Sequence, residues 1–170
     1  EEGDDVTVNV RTIRGLPARL TATPEAPPIP DRVEIRGEIF LSFDEFNRIN
    51  QQQDELGAER YANPRNLAAG TLKQLDSALV AERRLEIVLY GLGHSQPASL
   101  VTSQTAWHAA IRAWGLPGLQ TVTRVTGIDA VIDAIRKLDT ERAAFPYATD
   151  GAVVKLDDFG QQREAGYRGE

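Results

Sequence analysis

The chain has no cysteine and no methionine, only two histidines, and aromatic residues at 6%. Without cysteine, disulfides and thiolate metal sites are excluded within these residues, and His94 and His108 are too isolated to form a zinc centre. Any metal would therefore be held by oxygen. No apolar run is long enough to cross a membrane, and the opening Glu1-Glu2-Gly3-Asp4-Asp5 is the opposite of a basic signal-peptide start, so a cytoplasmic protein is expected. Positive charge is also short. Nineteen basic residues face twenty-five acidic ones, a formal charge of −6, which argues against nucleic-acid binding by broad phosphate neutralisation but allows local basic patches. Lysine is the scarcest cation, limited to Lys73, Lys137 and Lys155, with arginine supplying the rest.

What is present is ordinary for a globular chain: 170 residues, 41% hydrophobic and 26% charged, suit one domain with a sizeable core. The first residue is not methionine, and the first ten read as the middle of a motif, so a piece of a longer protein is expected. Val6, Val8 and Val10 alternate with polar residues and predict a half-buried strand. The proline-rich stretch from Pro24 to Pro30 predicts a loop. Val33 to Leu41 predicts a strand with Val33, Ile35, Ile39 and Leu41 on one face and Glu34, Arg36, Glu38 and Phe40 on the other. Ser42 and Glu45 have capping-box spacing and open a helix carrying Phe43, Phe46 and Ile49 inward.

Further along, Leu85 to Leu92 predicts a strand ended by Gly91 and Gly93. Ser103 caps a helix with Trp107, Ile111 and Trp114 on its core face, stopped by Gly115 and Pro117. Thr121 to Val125 predicts a short strand. It leads to an amphipathic helix bearing Ile128, Val131, Ile132, Ile135 and Leu138. Ala152 to Asp157 predicts a last strand, entered through an Asp150-Gly151 turn. Alternating strands and helices point, taken alone, to a parallel doubly wound sheet, yet no glycine-rich phosphate loop follows any strand.

The most particular stretch runs from Tyr61 to Asp76, Y-A-N-P-R-N-L-A-A-G-T-L-K-Q-L-D. Asn63 supplies a helix cap and Pro64 a fixed φ for the first helical position. Leu67, Ala68, Leu72 and Leu75 then share a side, while Arg65 and Lys73 stand near and along the helix with small Ala69 and Gly70 between them. A helix start flanked by cations is a candidate anion site, and a plain amphipathic helix with solvated charges is the competing reading. Glu38 on a polar strand face, Tyr90 at a strand end, and the Asp150 to Lys155 segment complete the set of groups a phosphate-handling site uses. A carboxylate orients a ribose or holds hydrated magnesium, a tyrosine stacks on a purine, and cations stabilise phosphoryl charge. Each has a bland alternative. Glu38 and Arg142 would be surface charges and Tyr90 packing, whereas Lys155, on the same strand face as Val153, is unusual unless that face opens on a cleft.

The blocks Gly3 to Ile13, Glu34-Ile35-Arg36-Gly37-Glu38, Tyr61 to Asp76 and Asp150-Gly151-Ala152-Val153-Val154-Lys155 together resemble the adenylation domain of bacterial NAD-dependent DNA ligases. The resemblance covers almost the whole chain, so residues 1–170 are expected to form part of one adenylation (nucleotidyltransferase) domain. It implies an α+β nucleotidyltransferase fold with antiparallel sheets flanked by helices. It also implies a reaction in three steps, assisted by magnesium. A lysine takes AMP from NAD, AMP passes to the 5′-phosphate of a DNA nick, and the 3′-hydroxyl displaces it. By position, Glu38 would bind the adenosine ribose, Tyr90 would stack on adenine, and Lys155 would contact the adenylate phosphate. Asp150 would order the entry to its strand or the metal, Arg65 and Lys73 would engage nick or AMP phosphates, and Arg142 would support the pocket. The implied catalytic set is Asp150, Lys155 and Arg65, with no metal ligand assigned. NAD or AMP and nicked duplex DNA are the implied partners, with a monomer expected.

The chain departs from the family pattern in three ways. The nucleophile of the family lies in a K-x-D-G motif, and here Lys137-Leu138-Asp139 and Lys155-Leu156-Asp157 are followed by Thr140 and Asp158. These residues alone are therefore expected not to form the covalent enzyme–AMP adduct. The family also continues past Gly166-Tyr167-Arg168 into a segment with another phosphate-binding lysine. Lys73 stands where many relatives have arginine, keeping the charge but losing a bidentate fork. The alternative function is a non-catalytic nucleotide- or DNA-binding remnant of the same fold.

Overall fold

The computed structural model describes residues 2–167; Glu1 and the Arg168 of the Gly166-Tyr167-Arg168 stretch lie outside the described residues. Two strands, β1 (Arg32–Phe40) and β2 (Glu86–Gln96), form a two-stranded sheet. Asp31 N–H donates to the Gln96 carbonyl at 3.1 Å, and Gly91 lies against Arg36, so one strand climbs as the other descends. The pairing is antiparallel, against the parallel doubly wound pattern that strand–helix alternation suggests by itself. The architecture is thus a mixed α/β chain with one small antiparallel sheet among the described residues. It divides into two compact units, Glu1–Ala18 with Glu38–Val88 and Phe145–Ala148, and Arg19–Gly37 with Leu89–Ala144 and Thr149–Glu170.

The first unit holds four helices: α1 (Thr7–Val10), α2 (Phe43–Glu55), α3 (Pro64–Leu72) and α4 (Ser77–Glu82). Its core gathers Ile13, Leu41, Ile49, Leu67, Ala68, Val80 and Leu85, with Val10, Ile39, Phe46, Tyr61, Leu72 and Ile87 packed around them. The Val6–Val10 strand is not formed. Asp5 accepts bonds from the Thr7 N–H at 3.0 Å and its hydroxyl at 2.6 Å, opening a helical turn at this point. Val8 is consequently 67% exposed while Asn9 is buried, the reverse of what the alternation requires. Helix α2 starts as expected, with the Ser42 hydroxyl accepting the Glu45 N–H at 3.2 Å. Ile49 is buried and Phe46 lies against the core, but Phe43, the first helical residue, is exposed. Its N–H instead binds the Pro146 carbonyl at 2.8 Å.

The second unit contains α5 (Gln104–Ala113), α6 (Ile128–Glu141) and α7 (Phe159–Ala165). Ser103 caps α5 through the Ala106 N–H at 3.1 Å, and Gly115 ends the segment at φ +79°, a left-handed value that glycine adopts without a Cβ penalty. Trp107 and Trp114 are fully buried, packed edge-on at 5.8 Å with Ile111 beside them. The β2 strand runs past Gly91 and Gly93 instead of ending there. A Cβ on Gly91 would lie 3.1 Å from the Arg36 Cβ, and one on Gly93 would enter the space of the Glu34 carboxylate. These glycines admit the neighbouring strand's side chains; they do not stop the strand.

Two predicted strands of this unit are absent. Residues 121–125 and 152–157 have no regular structure, although a single parallel bridge joins Leu89 to Gly118. Alternation marks two faces, but a strand also needs a ladder partner along its length; the Asp157 carbonyl accepts the Gln104 N–H at 2.7 Å and one antiparallel bridge joins Ser103 to Asp158, yet among the described residues neither segment has a continuous ladder. Val153 is 81% and Val154 58% exposed. Helix α6 forms as predicted, but buries none of its residues; Ile128, Ile132 and Ile135 remain exposed.

Candidate active-site elements

Helix α3 carries the N-P-R-N block, and its start is built as the sequence dictates. Asn63 is extended at φ −145°, and its side-chain oxygen accepts the Arg65 N–H at 2.8 Å and the Asn66 N–H at 3.1 Å, with Pro64 in the first helical turn. Three N–H groups that open a helix lack intrahelical acceptors once proline fills one place, and Asn63 satisfies two of them. Leu67 and Ala68 are buried as expected, and Leu72 packs against the core. Leu75 is not on that face. The helix ends at Leu72, and Leu75 beyond it is fully exposed. Gly70 looks into open space, with nothing within 4 Å of where a Cβ would be, so the outer face of α3 is accessible.

Arg65 reaches the Glu38 carboxylate of β1 at 3.9 Å, with side chains 74% and 53% exposed. Lys73, at the C-cap of α3, stands 3.9 Å from Asp4 and is 70% exposed. Exposed pairs of this kind contribute about 0–1 kcal/mol to stability. The first unit thus brings Glu38 and Arg65 together on one surface, and holds Lys73 at the other end of α3.

In the second unit, Lys155 lies with its ammonium 6.0 Å from the centre of the Tyr90 ring, at the outer limit of a cation–π contact. Tyr90 is half-buried, and its carbonyl accepts the Trp107 indole N–H at 3.1 Å, which fixes the ring's backbone against the tryptophan core. Lys155 is exposed on the irregular segment that replaces the predicted strand, so its alternation with Val153 marks no buried face. Asp157, two residues on, is the anchor. It accepts from the Thr105 hydroxyl at 2.6 Å and the Thr105 N–H at 2.8 Å, and pairs with Arg124 at 3.0 Å. The Thr105 hydroxyl, then its N–H, then Arg124 hold the Asp157 carboxyl below its ordinary range. Arg142 donates to the Thr149 carbonyl at 2.6 Å, gripping the chain immediately before Asp150, which is exposed. His108 is buried with Nδ1 unpartnered; burial, then the Arg112 and Lys155 charges, push its pKa down, so it is neutral at pH 7.

Several residues that hold these groups escape a reading by motif. Asn50 brackets Tyr61 by accepting its N–H at 2.7 Å and donating to its carbonyl at 2.9 Å. Arg83 donates to the Thr71 hydroxyl at 2.8 Å and the Tyr61 hydroxyl at 3.1 Å. Asn9 and the Asp157–Thr105 anchor belong to the same class. Of these only Asn9, between Val8 and Val10, stands out in the sequence as a polar residue amid apolar ones, and that marks burial without naming a partner. Two shallow depressions, one lined by Pro28, Pro30 and Pro97 and the other by Arg14, Arg48 and Arg84, include none of the predicted site residues. Among the described residues no three His, Asp or Glu side chains cluster to hold a metal ion.

Comparison with known proteins bears directly on these groups. The family model described as the NAD-dependent DNA ligase adenylation domain matches residues 1–170. "DNA ligase 1" of Opitutus terrae is 52% identical over 166 residues, covering 97% of this chain and 24% of that protein. The "DNA ligase" of Trichlorobacter lovleyi is 40% identical, covering 98% of this chain and 23% of its own length, and that of Methylobacterium sp. is 42% identical, with 98% and 20%. The chain spans about a quarter or less of these curated relatives. With a model match from end to end and the capped N-P-R-N helix in place, this chain belongs to the NAD-dependent DNA ligase adenylation domain family.

Proposed function

We propose that the protein carrying this chain is a DNA ligase that adenylates itself from NAD and seals 5′-phosphate/3′-hydroxyl nicks in duplex DNA, in replication and repair. The observation that carries the reading is the match to the adenylation-domain family along the whole chain, joined to an accessible α3 whose start presents Arg65 beside Glu38. Residues 1–170 would form part of a single adenylation domain of nucleotidyltransferase fold, in a cytoplasmic, monomeric enzyme. No helix among the described residues is long and apolar enough to cross a membrane.

The chemistry asked of these residues is recognition and charge stabilisation. Glu38, solvent-facing on β1, is suited to accept the hydroxyl donors of the adenosine ribose. Tyr90 offers a ring face held by the Trp107 bond for the adenine, and Lys155 offers a mobile ammonium near that ring for the adenylate phosphate. Arg142 steadies the turn that presents Asp150, and Arg65 and Lys73 supply phosphate contacts to AMP or the nick. NAD supplies the AMP group and the nicotinamide leaving group. Magnesium is the expected metal, but it finds no carboxylate cluster among the described residues, and its ligands would be chiefly substrate oxygens and water. No K-x-D-G lysine occurs in these 170 residues, so in this reading they supply contacts to the adenylate and not the nucleophile.

The test is sealing of a nicked duplex by the full-length protein with NAD as the sole AMP donor. Sealed product is expected. Absence of sealing, with AMP still bound, would replace this reading with that of a non-catalytic nucleotide-binding remnant.

A further inference from the structure

The opening block Gly3 to Ile13 carries one buried polar side chain, Asn9, and that side chain has a single destination. Asn9, 9% exposed, donates both amide hydrogens, to the Leu72 carbonyl at 2.8 Å and to the Gln74 carbonyl at 2.7 Å. Those two carbonyls flank Lys73, the C-cap of α3. The Leu72 carbonyl is one of the C-terminal helix carbonyls that lack intrahelical donors, the Gln74 carbonyl lies just past the C-cap, and one side-chain amide serves both. Lys73 has φ −90° and ψ 2°, so the backbone turns out of the helix at that residue, between the two gripped carbonyls. The grip is itself made rigid, because Asp5 closes the turn of α1 and the Asn9 carbonyl accepts the Thr12 N–H at 3.1 Å and hydroxyl at 2.7 Å. From the same block, Asp4 reaches the Lys73 ammonium at 3.9 Å.

We infer that Asn9 is the positioning residue for Lys73, and that the opening block is a cradle setting where this cation meets a phosphate. The inference rests on the phosphate-contact role proposed above for Lys73. A long exposed ammonium has many rotamers, and fixing its backbone and steering its tip reduces the freedom lost on meeting a phosphate. Arg65, at the other end of α3, receives its own support from Asn63 and is independent of this cradle.

The test uses the full-length protein and a duplex whose nick already carries AMP on its 5′-phosphate, so that only the sealing step is timed. Asn9→Asp keeps the shape and turns two donors into acceptors, and Lys73→Ala removes the cation. Sealing is expected to slow roughly tenfold in Lys73→Ala and about fivefold in Asn9→Asp, with the double variant no slower than Lys73→Ala, because residues acting through one another are not additive. Asn9→Ser, which keeps one donor, gives the same cycle should the aspartate variant melt below assay temperature, and it should fall between wild type and Asn9→Asp. Independent, multiplicative losses at Asn9 and Lys73, or wild-type sealing by the Asn9 variants, would overturn the inference alone. Undiminished sealing by Lys73→Ala would overturn the proposed phosphate role and the inference with it.

Discussion

Helix α3 and the segment from Ala152 to Asp157 both carry family motifs with cations, yet they are held in opposite ways. Helix α3 closes its own hydrogen bonds, is capped by Asn63, buries Leu67 and Ala68, and is gripped by Arg83 and Asn9, while Asn50 holds Tyr61 just ahead of it. Among the described residues the 152–157 segment has no continuous ladder, leaves Val153 and Val154 exposed, and is fixed at its ends, by Arg142 through Thr149 and by Asp157 through Thr105 and Gln104. The difference teaches that a helix is complete within its own residues, whereas a strand is defined by whatever lies beside it.

That comparison is open to breaking, most severely in the core under α3. Leu67→Ala should destabilise the chain by about 2–5 kcal/mol, the usual range for a buried leucine, while Val154→Ala should change stability by less than about 0.5 kcal/mol. Urea denaturation of the two variants checks the contrast, and equal effects would erase the distinction. A smaller loss is expected at the cap, where Asn63→Ala should cost about 1 kcal/mol by leaving the Arg65 and Asn66 N–H groups without their acceptor.

These same elements show how much was legible. The caps at Ser42, Asn63 and Ser103 and the core face of α5 could be read because each depends on neighbours within a few residues. The first ten residues misled because valine alternation outweighed the Asp5–Thr7 turn and the remote acceptors of Asn9. Residues 121–125 and 152–157 misled for the complementary reason, a strand-like pattern with no ladder beside it. The groups Glu38, Arg65, Tyr90 and Lys155 came from motif resemblance; the structure pairs Glu38 with Arg65 and Lys155 with Tyr90, and does so through contacts that spacing does not encode.

The anchor at Asp157 sharpens the comparison through pH. Its folded carboxyl is held below the ordinary aspartate value, so its contribution is fully present above that value and is lost as pH falls through the lower folded one. Protection of the Thr105 amide, taken relative to its intrinsic exchange rate at each pH, should therefore hold from neutral pH down into the ordinary carboxylate range and fall under stronger acid. Asp157→Asn should exchange faster at neutral pH and lose that acid step. The smallest effect on folding is expected at the exposed pair. Arg65→Ala should shift stability by no more than about 0.5 kcal/mol while slowing nick sealing in the full-length protein, as measured by melting and by a gel assay run together.

The most direct measurement is the intact mass of the full-length protein after incubation with NAD, for wild type, Glu38→Ala and Lys155→Ala. The account predicts a gain of one adenylate in wild type and strong loss of that adduct in both variants, with their melting temperatures little changed because both side chains are exposed. Near-normal adduct in both variants would contradict it.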